Sequence, residues 1–215
     1  MTPYNLTVIL TLVFSVYSVA ADTLTVMVTD NSGQVLPDAI VYLQPKSEMK
    51  VLQTPAVEIE QKNRLFNPFI SVIPVGTTAT FPNHDGIGHH VYSFSEAKSF
   101  ELPLSEEVLT REIIFDKPGV VTVGCNIHDW MVAYLYIVTT PYYTVTDNNG
   151  NAELPDITAG EYELHIWHPG AKDTETIKSL TIGQGNRLQE EFTLEIRPAY
   201  FWKPAAPPEI EQQEY

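Results

Sequence analysis

Apolar and polar residues alternate along much of the chain, which is the pattern of half-buried β-strands. The alternation is clear in "DTLTVMVTD" (22–30) and in "DAIVYLQP" (38–45), and a turn signal at residues 31–33 separates the two. Similar runs follow at 69–81, 89–95, 110–125 and 131–139. No segment has convincing helical periodicity, so the sequence predicts an all-β protein in which β-sandwiches are the expected arrangement.

A short pattern occurs twice, in "VTDNSGQVLPDAIVYL" from Val28 and in "VTDNNGNAELPDITAGEYELHI" from Val145. The two copies are explained either as ordinary turns between strands or as matching parts of one small sandwich. The first interpretation divides the chain into domains at 22–139 and 140–197. In the second, residues 24–45 and 140–196 form one sandwich and the central segment is inserted between them.

The first 21 residues contain no charged side chain and are apolar from Leu6 to Ala21. Small residues at Ser18, Ala20 and Ala21 end this stretch, as at a signal-peptide cleavage site. We therefore expect residues 1–21 to be a signal peptide that sends the protein to the periplasm, with an uncleaved anchor as the alternative.

The chain has 27 Asp and Glu against 12 Lys and Arg, a net charge of −15. This charge argues against nucleic acid and anionic lipid as partners and favours basic proteins. After cleavage of the signal peptide we expect no membrane attachment. The last residues, 198–215, are rich in Pro and Glu and predict an extended or disordered tail.

The chain has one cysteine, Cys125, in the segment "GCNIHDWM" with His128 and Met131. In an oxidising compartment an unpaired thiol is open to oxidation unless burial or a ligand protects it. A thiolate, two imidazoles and a weak axial thioether form a donor set that suits copper. The alternatives are a zinc site, for which a thioether is a poor donor, and a buried thiol without metal.

The second imidazole has to come from elsewhere, and "FPNHDGIGHHVYSFS" (81–95) offers His89 and His90. Strand alternation sends these two side chains to opposite faces, so only one of them is expected to bind the metal.

These segments resemble the cupredoxins, the small blue-copper proteins typified by plastocyanin and amicyanin. Asn83, Gly86, His89 and Val91 match the family's first ligand segment, and Cys125, His128 and Met131 match its Cys-x2-His-x2-Met loop. The resemblance spans about residues 60 to 140. It implies a Greek-key β-sandwich that binds one mononuclear type 1 copper through His89, Cys125, His128 and the axial Met131. The family commonly has Asn where this chain has His90.

The whole chain also resembles bacterial exported plastocyanin-like proteins labelled methylamine utilisation proteins, in "HHVYSFS", "AKSFELPL", "GCNIHDWM" and "TPYYTVTD". The region at 140–197 resembles the small carboxypeptidase regulatory-like β-sandwich. That second likeness concerns the fold alone, because the region has no peptidase zinc motif.

The cupredoxin resemblance implies an electron carrier rather than an enzyme, because four protein donors leave no open position for a substrate. It also places His128 at the protein surface, within an apolar mouth made by Ile87, Ile127 and Trp130. The expected partners are redox proteins with a basic docking face, such as a cytochrome or a dehydrogenase. A copper carrier or storage protein is the main alternative, followed by a multicopper enzyme and an interaction module with a structural metal.

Four further polar residues have either a structural or a functional interpretation. His84 and Asp85 are expected to cap a turn, and a second metal or proton-handling group is the alternative. His165 and His168, in "ELHIWHPG", are expected to have structural roles.

Overall fold

The computed structural model describes residues 22–49, 54–105, 111–183, 185 and 187–198. All regular structure in these ranges is β-strand, so the predicted all-β class is confirmed. The strands, in chain order, are β1 (Asp22–Asp30), β2 (Ile40–Pro45), β3 (Val57–Glu58), β4 (Glu60–Lys62), β5 (Leu65–Asn67), β6 (Ile70–Pro74), β7 (Thr77–Thr80), β8 (His89–Phe94), β9 (Ser99–Ser105), β10 (Ile113–Phe115), β11 (Gly119–Cys125), β12 (Val132–Val138), β13 (Tyr143–Val145), β14 (Asn151–Ile157), β15 (Gly160–Trp167), β16 (Thr176–Ile182) and β17 (Arg187–Leu194).

The two ends of the chain, 1–21 and 199–215, lie outside the described residues. They hold the predicted signal peptide and almost all of the predicted tail. Within the described part of the chain, no helix is long and apolar enough to cross a membrane.

Strands β1 and β2 together with β13 to β17 form one sandwich, called here the terminal sandwich. Its two sheets have the strand orders β14-β1-β17 and β13-β2-β15-β16. Strand β1 is antiparallel to β14 and parallel to β17, while β2 lies between β13 and β15. Its core includes Leu24, Val26 and Val28 from one sheet and Val41, Leu43, Leu164 and Ile166 from the other. The N-terminal strands thus share sheets with the C-terminal strands.

The inserted segment forms a second sandwich, called here the central sandwich. A five-stranded sheet of order β6-β12-β11-β8-β9 faces a three-stranded sheet of order β10-β7-β3. Their shared core contains Ile73, Val91, Val121, Val123 and Leu135 from the larger sheet, and Ala79 and Phe115 from the smaller one. Because alternate residues of each strand enter this core, the other side of the larger sheet is available to cover the terminal sandwich.

The two sandwiches meet through aromatic side chains of β2 and β12. Strand β2 is buried on both faces, since Val41 and Leu43 enter the terminal core while Ile40 and Tyr42 face the central sandwich. The hydroxyls of Tyr42 and Tyr136 both donate to Glu175 Oε1, at 2.8 Å and 2.7 Å. Burial on both faces explains why 39–43 is a continuous apolar run. The strand expected at 38–45 is present, but the alternation expected there was wrong.

A short hairpin, β4–β5, lies beside the loop that leads to His89. Its turn consists of Asn63 and Arg64, both with φ of 54°. The backbone N–H of His84 donates to the carbonyl of Gln61 at 2.8 Å, which joins the hairpin to this loop. The hairpin turn thereby lies next to the candidate metal centre described below.

Candidate metal centre

Two neighbouring strands bring the candidate ligands to one end of the central sandwich. His89 begins β8 and Cys125 ends β11, and these strands are antiparallel with Cys125 paired to Val91. His128 and Met131 lie in the short connection from β11 to β12. The end of one strand and the start of its antiparallel neighbour lie at the same end of the sheet. The two segments, which are distant in sequence, therefore converge.

The convergence is close enough for a single metal ion. One ligand atom from each of His89, Cys125 and His128 lies within 4.8 Å of the other two. The Sγ of Cys125 is 3.8 Å from the Nδ1 of His89 and 3.8 Å from the Nδ1 of His128. The three residues are 2%, 3% and 5% exposed. Within the described ranges, this is the one such group of His, Cys, Asp or Glu side chains.

Backbone hydrogen bonds fold the Cys125 loop tightly around the group. The N–H of Cys125 donates to the carbonyl of Met131 at 3.2 Å, and the N–H of Met131 donates to the carbonyl of His128 at 2.9 Å. Met131 is 1% exposed and belongs to the same core cluster as Cys125. The thioether of Met131 is thus held in the same enclosed region as the thiol.

His89 is oriented by a carboxylate behind it. Its Nε2 lies 2.8 Å from Asp85 Oδ2, and the same carboxylate accepts the backbone N–H groups of Asn63 and Arg64 at the hairpin turn. Donation from the Nε2–H to Asp85 leaves Nδ1 as the nitrogen that faces Cys125, which is the arrangement of a carboxylate–histidine–metal relay. Asp85 was expected to cap a turn, and its contact with His89 is the feature that the sequence did not reveal.

The surroundings of the Cys125 thiol favour its ionised form. Burial by itself would raise the pKa of Cys125, but hydrogen bonding to His89 and to the backbone N–H groups of Ile127 and His128 outweighs burial and lowers that pKa to about 6. For His89, burial would lower the pKa, and its contacts with Cys125 and Asp85 more than reverse this, so the pKa is raised. The thiolate is the form of cysteine that binds metals, so these contacts favour the metal-binding form of Cys125.

His90 lies on the other face of β8 and ties the two ligand segments together. Its carbonyl accepts the N–H of Asn126 at 3.0 Å, and its Nδ1 is 3.4 Å from the side-chain nitrogen of Asn126. Its Nε2 is 2.7 Å from Glu101 Oε1 on β9. His90 therefore braces the loop next to Cys125.

His128 differs from the expectation of a surface histidine, because it is only 5% exposed. Its ring lies 5.2 Å from that of Trp130, and the indole N–H of Trp130 donates to the carbonyl of Arg64 at 3.1 Å. The hairpin turn therefore contacts both ligand segments, through Asp85 and through Trp130. Of the expected apolar mouth, Ile127 is 51% exposed.

The remaining histidines have contacts that belong to turns and packing. His84 is exposed and joins the hairpin through its backbone. His165 stacks on Tyr42 with 4.5 Å between ring centres, and its Nδ1 lies 3.0 Å from Glu175 Oε2. The Nδ1 of His168 accepts the backbone N–H of Gly170 at 3.0 Å.

We expect Asp85→Asn to weaken metal binding by about 10- to 100-fold, the usual effect of losing a partner behind a ligating histidine. An amide keeps the shape of the side chain, but its nitrogen cannot accept the bonds that one carboxylate oxygen now accepts. Asp129→Asn is the matched control, since Asp129 is an exposed acid in the Cys125 loop and its loss changes the charge equally. Competition titrations of both variants give the affinities, and equal losses would show that charge alone is responsible.

Comparisons with known proteins give similarity to solved structures only: no protein-family model and no curated protein matches the chain. A Cu-containing nitrite reductase from Thermus scotoductus is similar over 44% of this chain at 26% identity, with a TM-score of 0.38. This chain covers 25% of that enzyme. A purple cupredoxin from Nitrosopumilus maritimus is similar over 38% of this chain and 99% of its own, at 26% identity and a TM-score of 0.35.

A reduced Cu(I) form of an amicyanin mutant is similar over 45% of this chain and 99% of its own, at 17% identity and a TM-score of 0.36. Each overlap is less than half of the chain, so the functional proposal below rests on this chain's own side chains.

Proposed function

We propose that this protein binds one copper ion through His89, Cys125, His128 and Met131 and carries single electrons between redox proteins. The observation that carries the proposal is the buried group of Cys125 Sγ and two imidazole nitrogens, which lie within 4.8 Å of one another. When bound, copper would supply a one-electron Cu(II)/Cu(I) couple at this position.

The donor set fits copper better than zinc. Thiolate and thioether sulfur stabilise Cu(I), and imidazole also accepts Cu(II), so the set serves both oxidation states. The three closest donors are nearly inaccessible, with His89 held by Asp85 and Cys125 fixed at the end of a core strand. Such a rigid site changes little between oxidation states, which favours outer-sphere transfer over substrate turnover.

The proposal also covers the location of the protein, its partner and its lack of an enzymatic role. We include export to the periplasm, because of the apolar residues 1–21, and a partner with a basic docking face, because of the net charge of −15. We assign no enzymatic role to the site, because four protein donors fill the coordination of a type 1 copper.

Potentiometric titration of the copper-loaded chain tests the electron-carrier role. We expect one reversible transition with a slope of about 59 mV per tenfold change in the oxidised-to-reduced ratio, as for a one-electron couple. A copper-loaded protein that cannot be cycled reversibly would contradict electron transfer.

The copper carrier or storage function predicts a different result. A carrier releases its ion, so Cu(I) would pass rapidly to a competing chelator. We expect slow release instead, because the donors at His89, Cys125 and His128 are buried. Rapid loss of Cu(I) would favour the carrier function.

A further inference from the structure

A cleft lies where the terminal sandwich covers the outer face of the central sandwich. It holds about 360 Å³, roughly the volume of twelve waters in the liquid. One wall comes from Val120, Thr122 and Tyr134 on β11 and β12, and the other comes from the loop after β15. Small-molecule sites are frequent at such junctions, and most have a volume of this order or larger. None of the four proposed copper ligands lines the cleft, so it is separate from the metal centre.

The loop wall of the cleft is held in place by residues 195–197. The backbone N–H of Lys172 donates to the carbonyl of Glu195 at 2.9 Å. The N–H of Arg197 donates to the carbonyl of Gly170 at 2.8 Å, and its side-chain Nη2 donates to that of Pro169 at 2.7 Å. These bonds fix the loop in the absence of a ligand, so binding in the cleft has little ordering cost.

The inner part of the cleft is aromatic and apolar. Trp167 is 7% exposed, and its ring centre lies 5.9 Å from that of Tyr134. Val120, which is half-buried, and Pro169, which is buried, complete this apolar lining. Such a lining suits an apolar group, and an aromatic ring best of all, because rings pack favourably on Trp and Tyr side chains.

The rim of the cleft carries two charges of opposite sign. Arg197 and Asp173 both line the cleft and are exposed. The third residue of the lining with a full charge, Lys172, forms an ion pair with Glu195, whereas Asp173 has no ion-pair partner among the described residues. Burial raises the pKa of Tyr134 and the positive charge of Arg197 opposes this rise, so the guanidinium lies close to the aromatic lining.

We propose that this cleft binds a free aromatic amino acid in its zwitterionic form. The ring packs against Trp167 and Tyr134, the carboxylate accepts two N–H groups of Arg197, and the ammonium donates to the carboxylate of Asp173. An aromatic acid without the ammonium would bring a second negative charge to Asp173. An aromatic amine would bring a second positive charge to Arg197, so the zwitterion is the form that complements the rim.

The test is a titration of the full, ¹⁵N-labelled, copper-free chain with L-phenylalanine, followed by NMR. We expect saturable shifts at the backbone amides of Ala171 and Thr174 and at the indole N–H of Trp167. Two related probes each lack one charge: 3-phenylpropionate has no ammonium, and phenethylamine has no carboxylate. We expect each of them to bind about tenfold more weakly than phenylalanine, because each loses its hydrogen bonds to a charged group.

Two variants separate recognition of the charges from a change in loop structure. Arg197→Gln keeps an N–H donor for the Pro169 carbonyl but loses the charge, and we expect it to weaken binding of phenylalanine by about tenfold but not binding of phenethylamine. We expect Asp173→Asn to weaken binding of phenylalanine by about tenfold but not binding of 3-phenylpropionate. Arg187→Gln is the control, since Arg187 is exposed at the other end of β17, and we expect it to leave all three affinities unchanged.

Several results would overturn this binding site. They are the absence of saturable binding, shifts centred outside the cleft, and equal affinities of phenylalanine and 3-phenylpropionate for the native chain. Equal weakening of all three probes by Arg197→Gln would also overturn it, because a deformed loop would then explain the loss. The copper-free chain is used throughout, so none of these outcomes depends on whether the proposed electron-carrier function is correct.

Discussion

Replacing Cys125 with serine is expected to abolish the copper–thiolate absorption of the protein. The serine hydroxyl stays protonated near neutral pH and is a hard oxygen donor, whereas the pKa of the Cys125 thiol is lowered to about 6 in this site. We also expect copper affinity to fall by more than the roughly 10- to 100-fold that loss of a partner behind a ligand costs. Visible absorption and a competition titration of the same samples measure the two effects.

Asn126→Ser is the matched control for this substitution. Asn126 is the exposed neighbour of Cys125 in the same loop. We expect its copper–thiolate absorption to persist, because the thiolate and the backbone bond from Asn126 to His90 are retained. Equal absorption spectra for Cys125→Ser and the native chain would mean that the sulfur of Cys125 is not a copper ligand.

The second large effect concerns the stability of the terminal sandwich. Gly150 has φ of +74°, and an added Cβ would lie 2.5 Å from the carbonyl oxygen of Val28 and 3.1 Å from the nitrogen of Leu36. The carbonyl of Gly150 also accepts the N–H of Val28 at 2.8 Å. Because backbone atoms meet the new carbon, Gly150→Ala is expected to cost about 3 kcal/mol or more of unfolding free energy.

Gly33 is the matched control, since it occupies the equivalent position in the other copy of the repeated turn. Its φ is +83°, and an added Cβ would have no atom within 4 Å. Gly33→Ala is therefore expected to cost only about 1 kcal/mol, from the backbone conformation alone. Urea denaturation of the copper-free chain measures the stability of both variants. Similar denaturation midpoints for Gly150→Ala and Gly33→Ala would show that the backbone around residue 150 accommodates the added Cβ without loss of stability.

The alternating pattern was sufficient for the all-β class but not for the pairing of the strands. Alternation in β1 identifies the buried face, with Leu24, Val26 and Val28 inward. It does not identify the partner strand, and β1 pairs in parallel with β17, more than 150 residues away, in the register Thr23 to Arg187. The partners of a strand are determined by packing over the whole domain. A local pattern carries no information about that packing.

The candidate site shows the same division between local and distant information. The spacing of Cys125, His128 and Met131 is local, and the sequence pointed to their chemistry directly. The contact of Asp85 with the turn at Asn63 and Arg64 joins residues about twenty positions apart. The only sequence signal for it was an acidic residue four positions before His89. Trp130, which lies beside His128, bonds to the same distant turn. His128 is only 5% exposed, so the expectation of a surface histidine was wrong.

The most direct measurement is a titration of the native chain with Cu(II), followed by visible absorption. The proposed donor set predicts an intense band at about 600 nm that grows linearly and stops at one equivalent of copper. A colourless protein, or one that binds Cu(II) with only the weak absorption of nitrogen and oxygen ligands, would contradict a copper–thiolate centre at Cys125.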